Sequence, residues 1–239
     1  MMIKAVAYIF AGLLAPGVAL AQPADKQRIG AFLIDRIEVS IAQFRRHAEA
    51  ARMVTAAERE GGGYEYAAGW VRRAGWTVYW PFGEAPDTEA HPAVHVTWAE
   101  AQAYCRAHGG RLPTVQEWLQ AAYVETRRDP PTPFVTGQRY TFPTGDSPDG
   151  ANMSTPDRWP RSAPVGQTAP GVNGLYDMGG NVWEWVADHP NDTGGGEKRT
   201  MGGSWWYGPE QMKAEANYSK PAAFYAVYVG FRCAYDAPA

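Results

Sequence analysis

Fifteen residues, Gly174 to Asp188 (GLYDMGGNVWEWVAD), concentrate the groups able to do chemistry in this chain. Asp177 and Glu184 flank Gly179, Gly180 and Asn181. Glycine tolerates positive φ, so the chain can turn tightly there. A tight turn between two carboxylates gathers side-chain and backbone oxygens, the donor set of a hard cation such as calcium. The Asp-x6-Glu spacing is not the EF-hand pattern, and a core strand with a decorated turn accounts for the same residues. Trp183 and Trp185 alternate with Glu184, so on an extended segment the indoles face one way and the carboxylate the other.

Histidines are the other candidate ligands. His91 and His95 would share a helix face, but Pro92 follows His91 and the segment reads as extended. On a strand they lie about 13 Å apart, too far for one metal. A two-histidine, one-carboxylate site is therefore disfavoured.

Length and composition bound the elements that must position these groups. The chain has 239 residues and is 45% apolar, with ten tryptophans, enough for one large domain or two small ones. Nineteen prolines and 26 glycines interrupt it too often for long helices or a regular parallel sheet. A net charge of −3 without a basic run argues against nucleic acid or an anionic membrane as the main partner.

Residues 1–21 read as a signal peptide: Lys4 in the n-region, an apolar stretch from Ala5 to Ala15, and a small-x-small site at Ala19 to Ala21. The competing reading is an uncleaved N-terminal anchor. The domain is expected over 22–239, in the periplasm or secreted, with no later segment apolar enough to span a bilayer. Export implies an oxidising compartment, in which Cys105 and Cys233, the only two cysteines, can pair; two lone buried thiols are the alternative.

Phe32–Asp35 reads as a strand. Ser40 with Gln43, Thr97 with Glu100 and Thr114 with Glu117 are capping boxes that each open a helix. Residues 61–90 and 129–171 read as long connections, the former with short strands. Thr200–Trp206 and Tyr225–Ala234 read as strands. No internal repeat or linker divides the chain.

Several segments, in this order, resemble the formylglycine-generating enzyme (sulfatase-modifying factor) family: FLIDRIEVSIAQFRR (32–46), HPAVHVTWAEAQAYC (91–105), GGRLPTVQEW (109–118), GLYDMGGNVWEW (174–185), GGSWW (202–206) and GFRC (230–233). The resemblance implies a single irregular α+β domain with a C-type-lectin-like core and little regular secondary structure. It implies two structural calcium sites, one from Asp177, Glu184 and the carbonyls of Gly180 and Val182, the other from Asn152, Asp157 and the carbonyls of Met153 and Trp159. It also places a structural disulfide at Cys105–Cys233.

The departure lies in the chemistry. The family's enzyme oxidises a substrate cysteine with copper(I) held by two cysteines after the GGS motif. The matching positions here are Tyr207 and Met212, so no copper site is expected. Ser204 and Trp183, near the family's reaction centre, are kept. Trp205, Trp206 and Tyr207 stand where the family binds peptide, and aromatic surfaces with polar edges suit recognition. One of the two indoles is expected to complete the core, and Arg232 to serve as a structural ion-pair or backbone-clamping residue. The resemblance thus implies an exported protein that oxidatively modifies a peptide or peptide-derived substrate without the paired-cysteine copper site. The alternative is a non-catalytic, calcium-stapled module that binds a peptide, glycan or small ligand. Oligomeric state is not legible.

Overall fold

The computed structural model describes residues 26–154, 157–189 and 191–237. The expected signal peptide lies outside the described residues. Four helices each begin at a reciprocal capping box. Ser40 opens α1 (Ile41–Ala51), Thr55 opens α2 (Ala56–Arg59), Thr97 opens α3 (Trp98–Ala107) and Thr114 opens α4 (Val115–Tyr123). Three of these boxes are legible in sequence. The fourth, Thr55 with Glu58, caps only one turn and lacks a periodic apolar run to announce it.

Strands are short. β1 (Lys26–Ile29), β2 (Phe32–Asp35) and β9 (Ala234–Asp236) make one antiparallel sheet, so the two ends of the described chain meet in it. β3 (Gly62–Tyr66) and β4 (Trp70–Ala74) form a hairpin. The third sheet has the order β7 (Asn217–Pro221), β6 (Glu197–Met201), β5 (Trp183–Trp185), β8 (Val229–Gly230). Between α4 and β5 the described residues form, beyond isolated bridges, a single short 3-10 turn at Val172–Gly174, consistent with the proline-rich reading of that stretch.

Two strand expectations are corrected. β6 stops at Met201, because Gly202 and Gly203 adopt φ +97° and +81°, which break the extended run. The stretch expected as one closing strand divides into β8 and β9, with the buried Arg232 and Cys233 between them.

The larger of two main apolar clusters joins α1 and α3 to β5 through Phe44, Trp98, Trp185 and Phe231. The smaller lies beneath α4 around Trp118, Leu175 and Met201. Cys105 and Cys233 are bonded, 128 residues apart, and tie α3 to the chain end. The irregular α+β architecture expected from sequence is what the chain adopts.

Candidate functional site

Strand alternation builds the site. In β5, Trp183 faces one side of its sheet and Glu184 the other, because successive side chains point oppositely. In-register pairing continues the Trp183 face. Thr200 pairs with Tyr218, Trp183 with Val229, and Lys220 follows Tyr218 by two residues. These five residues floor a cavity of about 300 Å³. Tyr66 and Trp70, either side of the β3–β4 turn, form one wall; Phe224, Tyr228 and Tyr207 complete it. The turn can be this tight because Ala68 and Gly69 both take positive φ, 53° and 142°. Edge-to-face contacts fix the rings: Trp183 to Tyr207 at 5.6 Å, Trp183 to Tyr218 at 5.1 Å, and Trp70 to Phe224 at 4.8 Å. Burial raises the Tyr207 and Tyr228 hydroxyls above the ordinary tyrosine range, so both stay protonated donors at neutral pH.

The sequence-predicted site residues are only partly brought together. Tyr207 and Trp183 line the cavity. Met212 does not: it is buried among Phe142, Ala151 and Met153, and its carbonyl accepts the Tyr123 hydroxyl at 2.7 Å. Trp205 is 9% exposed and Trp206 is 47% exposed. Neither lines the cavity; both pack on Tyr228, at 5.4 and 5.8 Å. Trp205 is thus the indole that completes the core. Ser204 is buried, with its hydroxyl near the Trp206 N–H and its carbonyl accepting the Tyr207 N–H. Tyr66, Trp70, Thr200, Lys220 and Phe224 are cavity residues that the sequence did not single out. The available signal was the Tyr66–Trp70 pair around an Ala-Ala-Gly turn.

On the opposite face of β5, Glu184 is fully buried and forked onto Arg232, whose Nη2 donates to Oε1 at 2.6 Å. Trp118 Nε1 also donates to Glu184, at 2.8 Å. Asp177 accepts from Gly166 N–H at 3.0 Å and from the Thr168 hydroxyl at 2.5 Å. Glu38, which sequence reasoning missed, accepts from Asn181 Nδ2 at 2.6 Å and from the Val182 N–H. Burial raises Glu38 and Asp177 above the ordinary carboxylate range; for Glu38 the neighbouring Asp177 and Glu184 add to the rise. Asn181 joins this acidic cluster to Asn152, whose Nδ2 donates to Asn181 Oδ1 at 3.1 Å.

The oxygens that calcium would need differ between the two sets. Asn152 is buried and its Oδ1 has no hydrogen-bond partner, which is a bare acceptor suited to a hard cation. Asp157 lies alongside, holding the Met153 and Trp159 N–H groups. That set fits. At the other set Arg232 already supplies the positive charge facing Glu184, and Asp177 is the carboxylate left with acceptor capacity. Among the described residues no group of three or more His, Cys, Asp or Glu side chains is placed to hold a metal ion.

A second cavity, about 330 Å³, is lined by prolines, Phe82 and Trp159. In it Asp87, His91 and Ser162 form a hydrogen-bonded chain of 2.9 and 3.1 Å. Asp87 is 83% exposed, and the Ala163 N–H that follows Ser162 is spent on Asn181. Neither the buried orienting carboxylate nor the adjacent amide donor of a hydrolytic triad is in place. His95 takes no part in that chain: it is fully buried and bonded to the Pro81 carbonyl.

The family profile described as sulfatase-modifying factor enzyme 1-like domain matches residues 2–237. The chain belongs to that family. The formylglycine-generating enzyme of Thermomonospora curvata is 36% identical over 196 residues, covering 70% of this chain and 62% of that protein. The inactive C-alpha-formylglycine-generating enzyme 2 of Mus musculus is 35% identical over 124 residues, covering 48% of this chain and 37% of that protein. The chain therefore spans less than two thirds of the length of either relative. The PvdO structure from Pseudomonas aeruginosa superposes with a TM-score of 0.61 at 22% identity, covering 86% of this chain and 80% of that one, a likeness of fold. Within this sulfatase-modifying-factor chain both cysteines are spent in one disulfide, so neither is available as a thiolate.

Proposed function

We propose that this sulfatase-modifying-factor protein is an exported, calcium-stapled recognition module. It holds a peptide or peptide-derived ligand in the cavity beside Tyr207 and runs no paired-thiolate copper oxidation. One observation carries the reading. The position matching the family's first copper-binding cysteine is a phenol in the wall of an aromatic cavity, while Met212 at the second is packed into the core. Hydrocarbon and phenol walls supply stacking and hydrogen bonding, not the soft donors that copper(I) needs.

Calcium would be held by Asn152, Asp157 and the carbonyls of Met153 and Trp159. A second ion would rest on Asp177 with the carbonyls of Gly180 and Val182, since Arg232 holds Glu184. Either ion would supply cross-linking of coil that lacks a hydrogen-bond ladder. The leader at 1–21 and a periplasmic or secreted location belong to the same proposal.

The test uses the purified full chain. We expect no oxygen uptake with a cysteine-containing sulfatase peptide and no stoichiometric copper or iron. We expect saturable binding of N-acetyl-glycyl-tryptophanamide by calorimetry, lost in Tyr207→Ala. Turnover of the cysteine peptide would overturn the reading. A second reading, oxidative modification of a peptide-derived substrate by a different centre, is favoured by the Thermomonospora relative, itself a formylglycine-generating enzyme. Stoichiometric copper or iron would move the choice to that reading.

A further inference from the structure

The cavity is not electrically neutral. Ten residues line it, none acidic, and Lys220 is the one basic residue among them. Its ammonium lies 5.2 Å from the Trp70 ring, 5.4 Å from Phe224 and 5.8 Å from Tyr218. No carboxylate of the described residues pairs with it. The contrast with its cross-strand neighbour is direct. Lys198 pairs with Lys220 in register across β6–β7, yet Lys198 Nζ is spent on Asp192 at 2.8 Å and Asp188 at 3.2 Å. One lysine of the pair has its counter-charges built in. The other has only ring faces, which attract a cation without neutralising it.

An ammonium ringed by aromatics and lacking a fixed carboxylate repels a cationic guest and attracts an anionic one. Seven of the ten lining residues are aromatic, Tyr66, Trp70, Trp183 and Tyr207 among them, and such a lining favours a flat aromatic partner. A cavity of about 300 Å³ is at the small end of ligand sites, matching one bicyclic ring with a short acidic arm. Tyr207 and Tyr218 line the same space, and a phenol hydroxyl is a donor to an anion.

We propose that the cavity takes a planar aromatic carboxylate, with the ring against Trp183, Tyr207 and Trp70 and the carboxylate on Lys220 Nζ. This rests on the reading of the cavity as the ligand site and adds the charge and shape class of the ligand. The acid is either a free aromatic acid or the C-terminal aromatic residue of a peptide; both present the same ring and carboxylate.

Calorimetry on the full chain separates these. The probes are N-acetyl-glycyl-tryptophan, its neutral amide, indole-3-propionate and tryptamine. We expect the peptide acid to bind about tenfold tighter than its amide, since a charge-assisted hydrogen bond is roughly twice as strong as a neutral one. Tryptamine should bind weakest. Indole-3-propionate equal to the peptide acid identifies a free-acid site; the peptide acid much tighter identifies a chain terminus. Lys220→Met should erase the acid-over-amide preference and Lys220→Arg should keep it. Acid and amide binding equally would overturn the anionic class while leaving the cavity reading intact. No binding by any probe would overturn both.

Discussion

Arg232 and Glu184 form a forked ion pair with no solvent exposure, and the same guanidinium clamps the carbonyls of Asp35 and Tyr176. The pair thereby fastens β5 to the turn before it and to β2. Removing one partner leaves an uncompensated buried charge. Arg232→Met should destabilise the fold by about 3–5 kcal/mol. The double variant with Glu184→Gln should recover part of that loss. Urea midpoints of the single and double variants check this, and an unchanged midpoint in Arg232→Met would refute it.

Calcium removal tests the Asn152 set. Chelation should lower the melting temperature, with about 2.7 kcal/mol lost relative to calcium at one hundred times its Kd. Asn152→Ala should remove the share of that calcium-dependent increment carried by the ion at its set, because it deletes the bare Oδ1. If the increment survives in Asn152→Ala but vanishes in Asp177→Asn, the ion sits at the Gly180 turn instead.

Two buried groups, Asp35 and His95, give the pH dependence of stability opposing slopes, and the raised Glu38 and Asp177 act in the same sense as Asp35. Burial raises Asp35 from its ordinary 3.8 to about 6, against the Cys233 amide, Tyr235 and Arg232. Between those values the folded chain binds more protons than the unfolded, so this group's contribution falls as pH rises, by up to about 3 kcal/mol. Burial lowers His95 from 6.5 to about 4, opposed by its bond to Pro81. There the unfolded chain binds more protons, so stability is lost as pH falls below 6.5. Over the pH range they share, the Asp35 slope works against the His95 slope. Asp35→Asn should uncover the His95 slope, giving a steeper acid loss between pH 6.5 and 4 in urea titrations. Identical slopes in variant and native protein would refute the assignment.

The disulfide closes a loop of over a hundred residues, from α3 to the segment before β9. Chain-entropy arguments put such a cross-link at about 4–5 kcal/mol. The Cys105→Ala, Cys233→Ala double variant should lose on that order of stability while keeping the fold, because the cluster in which both sulfurs lie is built mainly from other side chains, Phe44, Trp98 and Phe231 among them. Reductant added to the native chain should reproduce the loss.

Local chemistry was legible in the sequence alone. The capping boxes at Ser40, Thr97 and Thr114 sit within four residues, so their hydrogen bonds need no distant partner to be foreseen. The opposite facing of Trp183 and Glu184 follows from strand geometry. The ordered motifs identified the irregular fold, and two cysteines in the whole chain bounded the sulfur chemistry.

Only the tertiary structure decided which groups meet. Glu38 and Glu184 are 146 positions apart and share one buried cluster. Tyr66, Tyr207 and Lys220 come from a hairpin, a turn and an edge strand to line one cavity. Tyr207 and Met212 stand five residues apart yet enter different environments: Tyr207 lines the cavity, while the 3-10 turn Pro209–Met212 carries Met212 into the cluster with Phe142, Ala151 and Met153. Contacts between distant segments depend on how short elements pack through long coil, and no periodicity in the sequence encodes that.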